Sequence, residues 1–326
     1  MFLRPATADA LTRTRSGRGK TVNRDSVDWW GPMPAVVTSF DDSGAIDAKA
    51  MQDNAERLFA NGATGLLVGG CTGEFWALSF EERVELFALG AKLGRGRGTI
   101  LVCTGAITVD ETVRLTEAAQ AAGCDGALIL PPYFIHLSDD EIFEHYREID
   151  AAVAIPIVLY NIPGNAINAI TPALASRLAD LDNVVAIKES SGDWNNFYAT
   201  LLGVRDRIRV FCGPASLYGV PAIAAGADGF IDCFPNVWLP GGLELFHAAR
   251  AGRLDEASEL QQTGKRLTEL FTSGGRSLYP ATKAAMTHLG FTAGDPRPPL
   301  RPVEGAQLEE LHAGLAALSI EYQGGN

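Results

Sequence analysis

Between residue 34 and about residue 252, short apolar runs alternate with longer stretches of helical period. The runs are 35–40, 65–68, 99–104, 126–130, 155–160, 184–188, 208–212 and 229–234. Most are rich in Val, Ile and Leu and read as strands buried on both faces. The stretches between them have recognisable helix starts. Ser79-x-x-Glu82, Thr108-x-x-Glu111 and Ser138-x-x-Glu141 each read as a capping box, hydroxyl to amide and carboxylate back to amide. Thr171-Pro172 puts a capping residue before a Pro at the first helical position. Eight such strand–helix units predict an α/β fold, a parallel (β/α)8 TIM barrel over 29–252. Apolar spacing predicts about three additional C-terminal helices, over 254–271, 279–289 and 307–320, within a helical region 253–326. A TIM barrel carries its active site at the C-terminal ends of its strands, so those ends decide the chemistry.

The sixth run ends in Lys188, followed by Glu189-Ser190-Ser191-Gly192-Asp193. An ammonium at the end of a doubly buried strand loses hydration. In one reading the stem is buried and the head reaches water. In the other, desolvation makes a nucleophile. An ordinary lysine is neutral in only about one molecule per thousand or fewer at pH 7, and moving its pKa toward ~7 takes about 4–5 kcal/mol. A neutral amine attacks a ketone to form a Schiff base. The fifth run ends at Tyr160, one unit earlier, before Asn161-Ile162-Pro163-Gly164. Its phenol either shuttles protons for Lys188 or simply packs with its hydroxyl on a carbonyl.

Other strand ends add candidates. The second run leads into Gly69-Gly70-Cys71-Thr72-Gly73-Glu74. Such a turn exposes amides that suit a carboxylate or phosphate, and Thr72 adds a hydroxyl; the plain alternative is a tight turn that needs glycines. The eighth run contains Ile231 and Asp232 and leads to Asn236. A carboxylate inside an apolar strand demands a partner. Asp232 is therefore a structural acceptor or a polar wall of the pocket. Arg276, in the C-terminal part, is either a surface charge or a contact to a pocket or a second subunit.

The chain has 326 residues, 47% hydrophobic and 20% charged, which is ordinary for a globular protein. A net charge of −12 speaks against a general nucleic-acid surface. No apolar run approaches the ~20 residues of a membrane helix. Cys71, Cys103, Cys124, Cys212 and Cys233 form no ligand spacing, and no His accompanies them. They read as reduced core thiols in a cytoplasmic protein, with no metal. Residues 1–28 are Arg-rich and lack an apolar period. They read as a disordered N-terminal extension rather than a transit peptide.

Together these pieces resemble the dihydrodipicolinate synthase / N-acetylneuraminate lyase family of class I aldolases. The resemblance runs from about residue 34 to 289. It rests on Gly70-Cys71-Thr72-Gly73-Glu74, Tyr160-Asn161-Ile162-Pro163 and Ile187-Lys188-Glu189-Ser190-Ser191-Gly192-Asp193. It implies that Lys188 forms a Schiff base with pyruvate or a 2-keto acid and that Tyr160 acts as acid and base. It further implies that Thr72 and the amides of Cys71–Gly73 hold the carboxylate, with no metal or organic cofactor, in a homotetramer built as a dimer of dimers. Asn165, Asp232 and Asn236 are then expected as donors or acceptors for substrate hydroxyls, with Ile231 among the substrate-binding residues. The chain also departs from the pattern. Cys71 stands where dihydrodipicolinate synthases have a first Thr. Phe134 stands where they place a Tyr donated across a dimer interface. Asn165 stands where they have an Arg for the carboxylate of aspartate semialdehyde, and an Asn makes no bidentate charged contact. The leading expectation is an aldolase or dehydratase acting on a 2-keto acid such as a 2-keto-3-deoxy sugar acid. A true dihydrodipicolinate synthase is the alternative, and a catalytically silent keto-acid-binding barrel is the alternative from another class.

Overall fold

The computed structural model describes residues 23–239 and 241–321. Eight parallel strands run β1 (Gly31–Pro32), β2 (Gly65–Val68), β3 (Thr99–Cys103), β4 (Gly126–Ile129), β5 (Ile157–Asn161), β6 (Val184–Glu189), β7 (Arg209–Cys212) and β8 (Gly229–Phe230). From β2 to β8 each pairs with its neighbour in sequence, and β8 pairs back onto β1. The ring closes between the first two strands through a bridge from Ala35 to Leu67. A helix follows each strand. They are α1 (Ala48–Ala60), α2 (Phe80–Gly94), α3 (Val109–Ala122), α4 (Asp139–Ala152), the short α5 (Pro163–Ala166) with α6 (Pro172–Leu178), α7 (Trp194–Val204), α8 (Ala215–Ala224) and α9 (Gly241–Arg250). This is the TIM barrel that the apolar runs predict. The boxes at Ser79 and Ser138 form with both hydrogen bonds, and Thr108 and Thr171 cap α3 and α6.

Strand alternation sorts the core into layers. Leu67, Leu101, Cys103, Leu128, Val158, Tyr160, Ala186, Phe211 and Ile231 fill the barrel interior. The intervening residues, such as Leu66, Val102, Ile129, Leu159, Ile187 and Val210, pack against the helices. Three C-terminal helices, α10 (Leu254–Thr272), α11 (Leu278–His288) and α12 (Gly305–Ala317), follow and build a separate apolar cluster around Leu267, Phe271, Ala285, Met286 and Leu311.

The first and last strands are shorter than their apolar runs. β1 sits at Gly31–Pro32, upstream of the run 35–40; Pro34 offers no amide, and past it pairing continues only through the Ala35 and Val36 amides, onto the Asp232 and Leu67 carbonyls. Its partner must be glycine: a Cβ on Gly229 would lie 2.1 Å from the Gly31 carbonyl oxygen. β8 ends early because the Asp232 carboxylate captures the amides of Cys233 and Phe234, at 2.5 and 3.3 Å, and turns the chain out of the sheet.

The expected extension 1–28 divides. Residues 1–22 lie outside the described residues. Residues 23–28 pack against the floor of the barrel, which corrects the expectation for that part. Arg24 forks onto the Asp228 carboxylate at 2.9 and 2.7 Å. Val27 is buried, and its carbonyl accepts from Arg209. The apolar signal here is two residues long, Val27 and Trp29, too short for any periodicity to register.

Asp228 is 6% exposed and also accepts from Arg209 at 3.0 Å and from the Val210 amide at 2.9 Å. One carboxylate thus ties the N-terminal segment, β7 and β8. Breaking a buried charge cluster by removing one partner costs about 3–5 kcal/mol. Asp228→Ala is expected to lose about that much in a urea titration. A loss under about 1 kcal/mol would show that the cluster contributes little.

Candidate active site

Lys188 and Tyr160 are register partners on β6 and β5. Both face the barrel interior and both are buried, Lys188 with 5% of its surface exposed. The Lys188 Nζ donates to the Tyr160 Oη at 3.3 Å and lies 4.4 Å from the centre of its ring. Burial is the largest influence on the amine and lowers its pKa from the ordinary lysine value. Nearby thiols and Asp232 pull the other way, more weakly. Burial also raises the Tyr160 phenol well above its ordinary value. The pair is therefore an amine biased toward its neutral form beside a phenol held protonated.

The amine opens onto a cavity of about 170 Å³ at the C-terminal ends of the strands. Cys71, Thr72, Ile231 and Asp232 line it together with Lys188. The Gly-rich turn is framed by two left-handed residues, Gly69 at φ +61° and Glu74 at φ +56°. A Cβ on Gly73 would come within 2.9 Å of the Gly69 Cα, so that position admits only glycine. The amides of Thr72 and Gly73 donate to no acceptor among the described residues. Unpaired amides in a buried turn can hold an anion.

A left-handed non-glycine costs roughly 1–2 kcal/mol. Glu74 is held there by its side chain. Its Oε1 is paired with Lys283 of α11 at 2.7 Å, with the two side chains 0% and 2% exposed. Its Oε2 accepts the Arg297 amide at 2.8 Å. The C-terminal region is thereby clamped onto the turn.

Asp232 fits both of its readings. It accepts from the Ser216, Cys233 and Phe234 amides and also lines the cavity. Burial raises its pKa, and the three amides oppose that. Asn165 does not line the cavity; its Nδ2 donates to the Tyr279 Oη at 3.2 Å, and Tyr279 does. Asn236 is structural. Its Nδ2 bonds the Ala35 and Cys233 carbonyls at 2.8 and 2.6 Å, at the junction of the first and last strands. Arg276 is neither a free surface charge nor a cavity residue: it is buried and pairs with Glu310 at 2.9 Å. Phe134 is 83% exposed at φ +80°. All five cysteines are free and buried.

Reading strand ends alone misses one wall of the cavity. Thr268 and Thr272 of α10 and Tyr279 of α11 line it from the C-terminal region. Their helical spacing marks them in the sequence as ordinary helix positions. The only available sign is that Tyr279 and Lys283 fall one turn apart on a single helix face.

The dihydrodipicolinate synthetase family model matches residues 29–318. A 4-hydroxy-tetrahydrodipicolinate synthase from Methanoculleus marisnigri is 34% identical over 285 residues, which is 86% of this chain and 96% of that protein. A dihydrodipicolinate synthase from Bacillus anthracis superposes with a TM-score of 0.85 at 28% identity, covering 89% of this chain and 99% of that one. A prophage protein of the dihydrodipicolinic acid synthase family from E. coli K12, solved in complex with pyruvate, gives 0.86 at 25% identity, with 90% and 100% covered.

The lowered pKa of Lys188 has a sign in stability. Below the folded value the buried ammonium is destabilising in full. As pH rises from that value toward the unfolded value of 10.5, the unfolded chain holds the extra proton and the penalty fades. Lys188→Met is expected to be more stable than the wild type at pH 7, with the gap narrowing as pH rises toward 10. Parallel urea titrations at several pH values measure it. A gap independent of pH would mean that the ammonium is not destabilised by burial.

Proposed function

The chain belongs to the dihydrodipicolinate synthetase family of Schiff-base aldolases, and from that premise we propose that Lys188 forms a Schiff base with a hydroxylated 2-keto acid, as a lyase that cleaves or dehydrates it. The neutral Nζ attacks C2. Tyr160 protonates the departing hydroxyl of the carbinolamine. The resulting iminium draws electrons from C3, so that either the C3–C4 bond breaks or a C3 proton leaves and a hydroxyl is expelled as water. The substrate carboxylate sits on the amides around Thr72 and Gly73 and on the Thr72 hydroxyl. No metal or organic cofactor takes part in this scheme.

The observation that carries the substrate class is the composition of the cavity wall. Among the described residues Lys188 is its only cationic side chain and Asp232 its only carboxylate. Around them stand the hydroxyls of Thr72, Ser190, Ser216, Thr268, Thr272 and Tyr279. The Ser190 Oγ is buried and has no hydrogen-bond partner. A buried unpaired hydroxyl costs free energy that a substrate hydroxyl would recover. A second substrate carboxylate finds no arginine here, and Asn165 points to Tyr279 instead. A 2-keto-3-deoxy sugar acid fits such a wall. The competing reading, condensation of pyruvate with aspartate semialdehyde, has the names of the relatives in its favour.

We place the protein in the cytoplasm; among the described residues no helix is long and apolar enough to cross a membrane. We also propose a homotetramer, a dimer of dimers. Its support is the large apolar side chains left exposed in loops near the mouth, Phe134, Ile135, Ile107 and Trp76.

Borohydride added with pyruvate is expected to leave one reduced three-carbon adduct, on Lys188, and Lys188→Ala to lose adduct and activity together. Peptide mass spectrometry locating the adduct on Lys265 or Lys283 would remove the assignment, and no adduct at all would favour a silent barrel. A panel of 2-keto acids, followed for pyruvate release and for water loss, then separates the two enzyme readings. A lost charge-assisted contact costs ~1.5–3 kcal/mol. The semialdehyde reaction is therefore expected to run well below the ~10⁴ M⁻¹s⁻¹ ordinary for a natural substrate. A value above that would establish the synthase reading instead.

A further inference from the structure

A second cavity, of about 230 Å³, lies in the C-terminal region behind the turn after β2. Its walls are one face of α11, one face of α12 and the segment that joins them. Pro280, Ala284, Pro302, Val303 and Leu308 make much of the lining apolar. His288 and His312 also line it, with their rings stacked 3.7 Å apart. His288 is exposed and His312 half-buried, whereas Lys283, another lining residue, is 2% exposed. The cavity therefore runs from two imidazoles near the surface to a buried ammonium.

That ammonium is balanced in charge but short of acceptors. A lysine head has three protons to place. The Lys283 Nζ donates to the Asp295 carbonyl at 3.1 Å and lies 4.1 Å from the centre of the Phe40 ring. Glu74 Oε1 is 2.7 Å away, yet outside the alignment of a hydrogen bond, and that buried oxygen accepts none. Burial outweighs these contacts and lowers the Lys283 pKa from the ordinary lysine value. An anionic oxygen reaching Nζ through the cavity would supply the missing acceptor. The one carboxylate among the described lining residues, Asp295, is exposed.

We propose that this cavity is an effector site for a small carboxylate with a compact apolar body, and that filling it weakens keto-acid binding at the barrel mouth. The coupling rests on the reading above that the turn after β2 holds the substrate carboxylate. The effector's carboxylate binds Lys283, and its body packs on Val303 and Leu308. Glu74 is the link between the two sites. One of its oxygens depends on Lys283, the other accepts the Arg297 amide at 2.8 Å, and the residue itself is held at φ +56° in the turn. A second anion on Lys283 competes with Glu74 for a single cation. As Glu74 shifts, the turn loses the shape that presents the Thr72 and Gly73 amides. Binding linkage is reciprocal, so a keto acid at the mouth weakens the effector by the same factor. Couplings of this kind are typically about 5- to 150-fold. About 10-fold is expected here, near the low end of that range, because only one of the two Glu74 contacts is contested.

Isovalerate is the probe, and isovaleramide is its uncharged control. Isovalerate titrated alone in a calorimeter should give one binding event per chain, and isovaleramide none. Pyruvate titrated at increasing isovalerate should show a Kd that rises about 10-fold and then levels off. Leu308→Trp fills the cavity from α12. It should keep the wild-type pyruvate Kd and lose both the isovalerate heat and the response to isovalerate. Val303→Phe fills it from the joining segment and decides the matter if the tryptophan variant does not fold. A pyruvate Kd that climbs with isovalerate without levelling means that the probe occupies the mouth, and it overturns the proposal. So does the absence of isovalerate heat, a pyruvate Kd that isovalerate leaves unchanged, an equal response to the amide, or an equal response in the filled variants. Borohydride trapping run in parallel keeps this inference apart from the Schiff-base reading. Pyruvate that responds to isovalerate but leaves no adduct removes that reading and supports the effector site. An adduct on Lys188 with no response to isovalerate overturns the effector site alone.

Discussion

Desolvation of one ammonium organises this molecule. Lys188 ends a central strand of a closed barrel, where the wall on either side is backbone already paired into a ladder and the interior below it is filled by Ala186, Phe211 and Val158. Only one face remains, toward the mouth. A charged amine placed there is held away from bulk water by the fold itself, and among the described residues no carboxylate pairs with it at salt-bridge distance. Most proteins avoid that arrangement because it costs stability. A barrel tolerates it, since its many buried apolar side chains offset one unfavourable site. The same penalty that weakens the fold favours the neutral, nucleophilic form of the amine.

The mouth is not made by the barrel alone. The turn that can hold an anion contains a strained glutamate, and that glutamate is held by Lys283 from a helix more than two hundred residues later in sequence. The pair is wholly buried, so each partner is indispensable to the other: removing either leaves an uncompensated charge in the interior. The C-terminal helices therefore act on the site twice. They hold the turn in shape, and they supply Thr268, Thr272 and Tyr279 to the wall. The hydroxyls of that wall are what the proposed preference for a hydroxylated substrate over a second anion rests on.

Much of this is legible in the sequence because periodicity and capping are local. Strand runs, the boxes at Ser79 and Ser138 and the end position of Lys188 are each defined within a few residues of sequence. The ends of the barrel are harder. At the first strand the paired residues Gly31 and Pro32 precede the apolar run, which joins the barrel ladder only at Ala35 and Val36, and at the eighth a carboxylate takes two amides for itself, so apolar composition misplaces the first strand and overstates the last. Arg24 and Val27 carry no period, yet Asp228 anchors them. Asn236 and Arg276 look like candidates for chemistry because they are polar near a predicted site. Their partners, carbonyls at a strand junction and Glu310, are set by tertiary contacts that no spacing reveals. Tyr279 is hidden for the opposite reason: on a helix remote in sequence it looks like any amphipathic position.

The central claim is that the buried amine of Lys188 is the group that takes the substrate covalently. A crystal structure of the protein soaked in pyruvate tests it directly. The expected result is continuous density from the Lys188 Nζ to C2 of the ligand, with the carboxylate on the amides of the turn after β2 and Tyr160 beside the new bond. Pyruvate lying in the mouth with its ketone intact and no bond to Lys188, or joined to a different lysine, would contradict the claim.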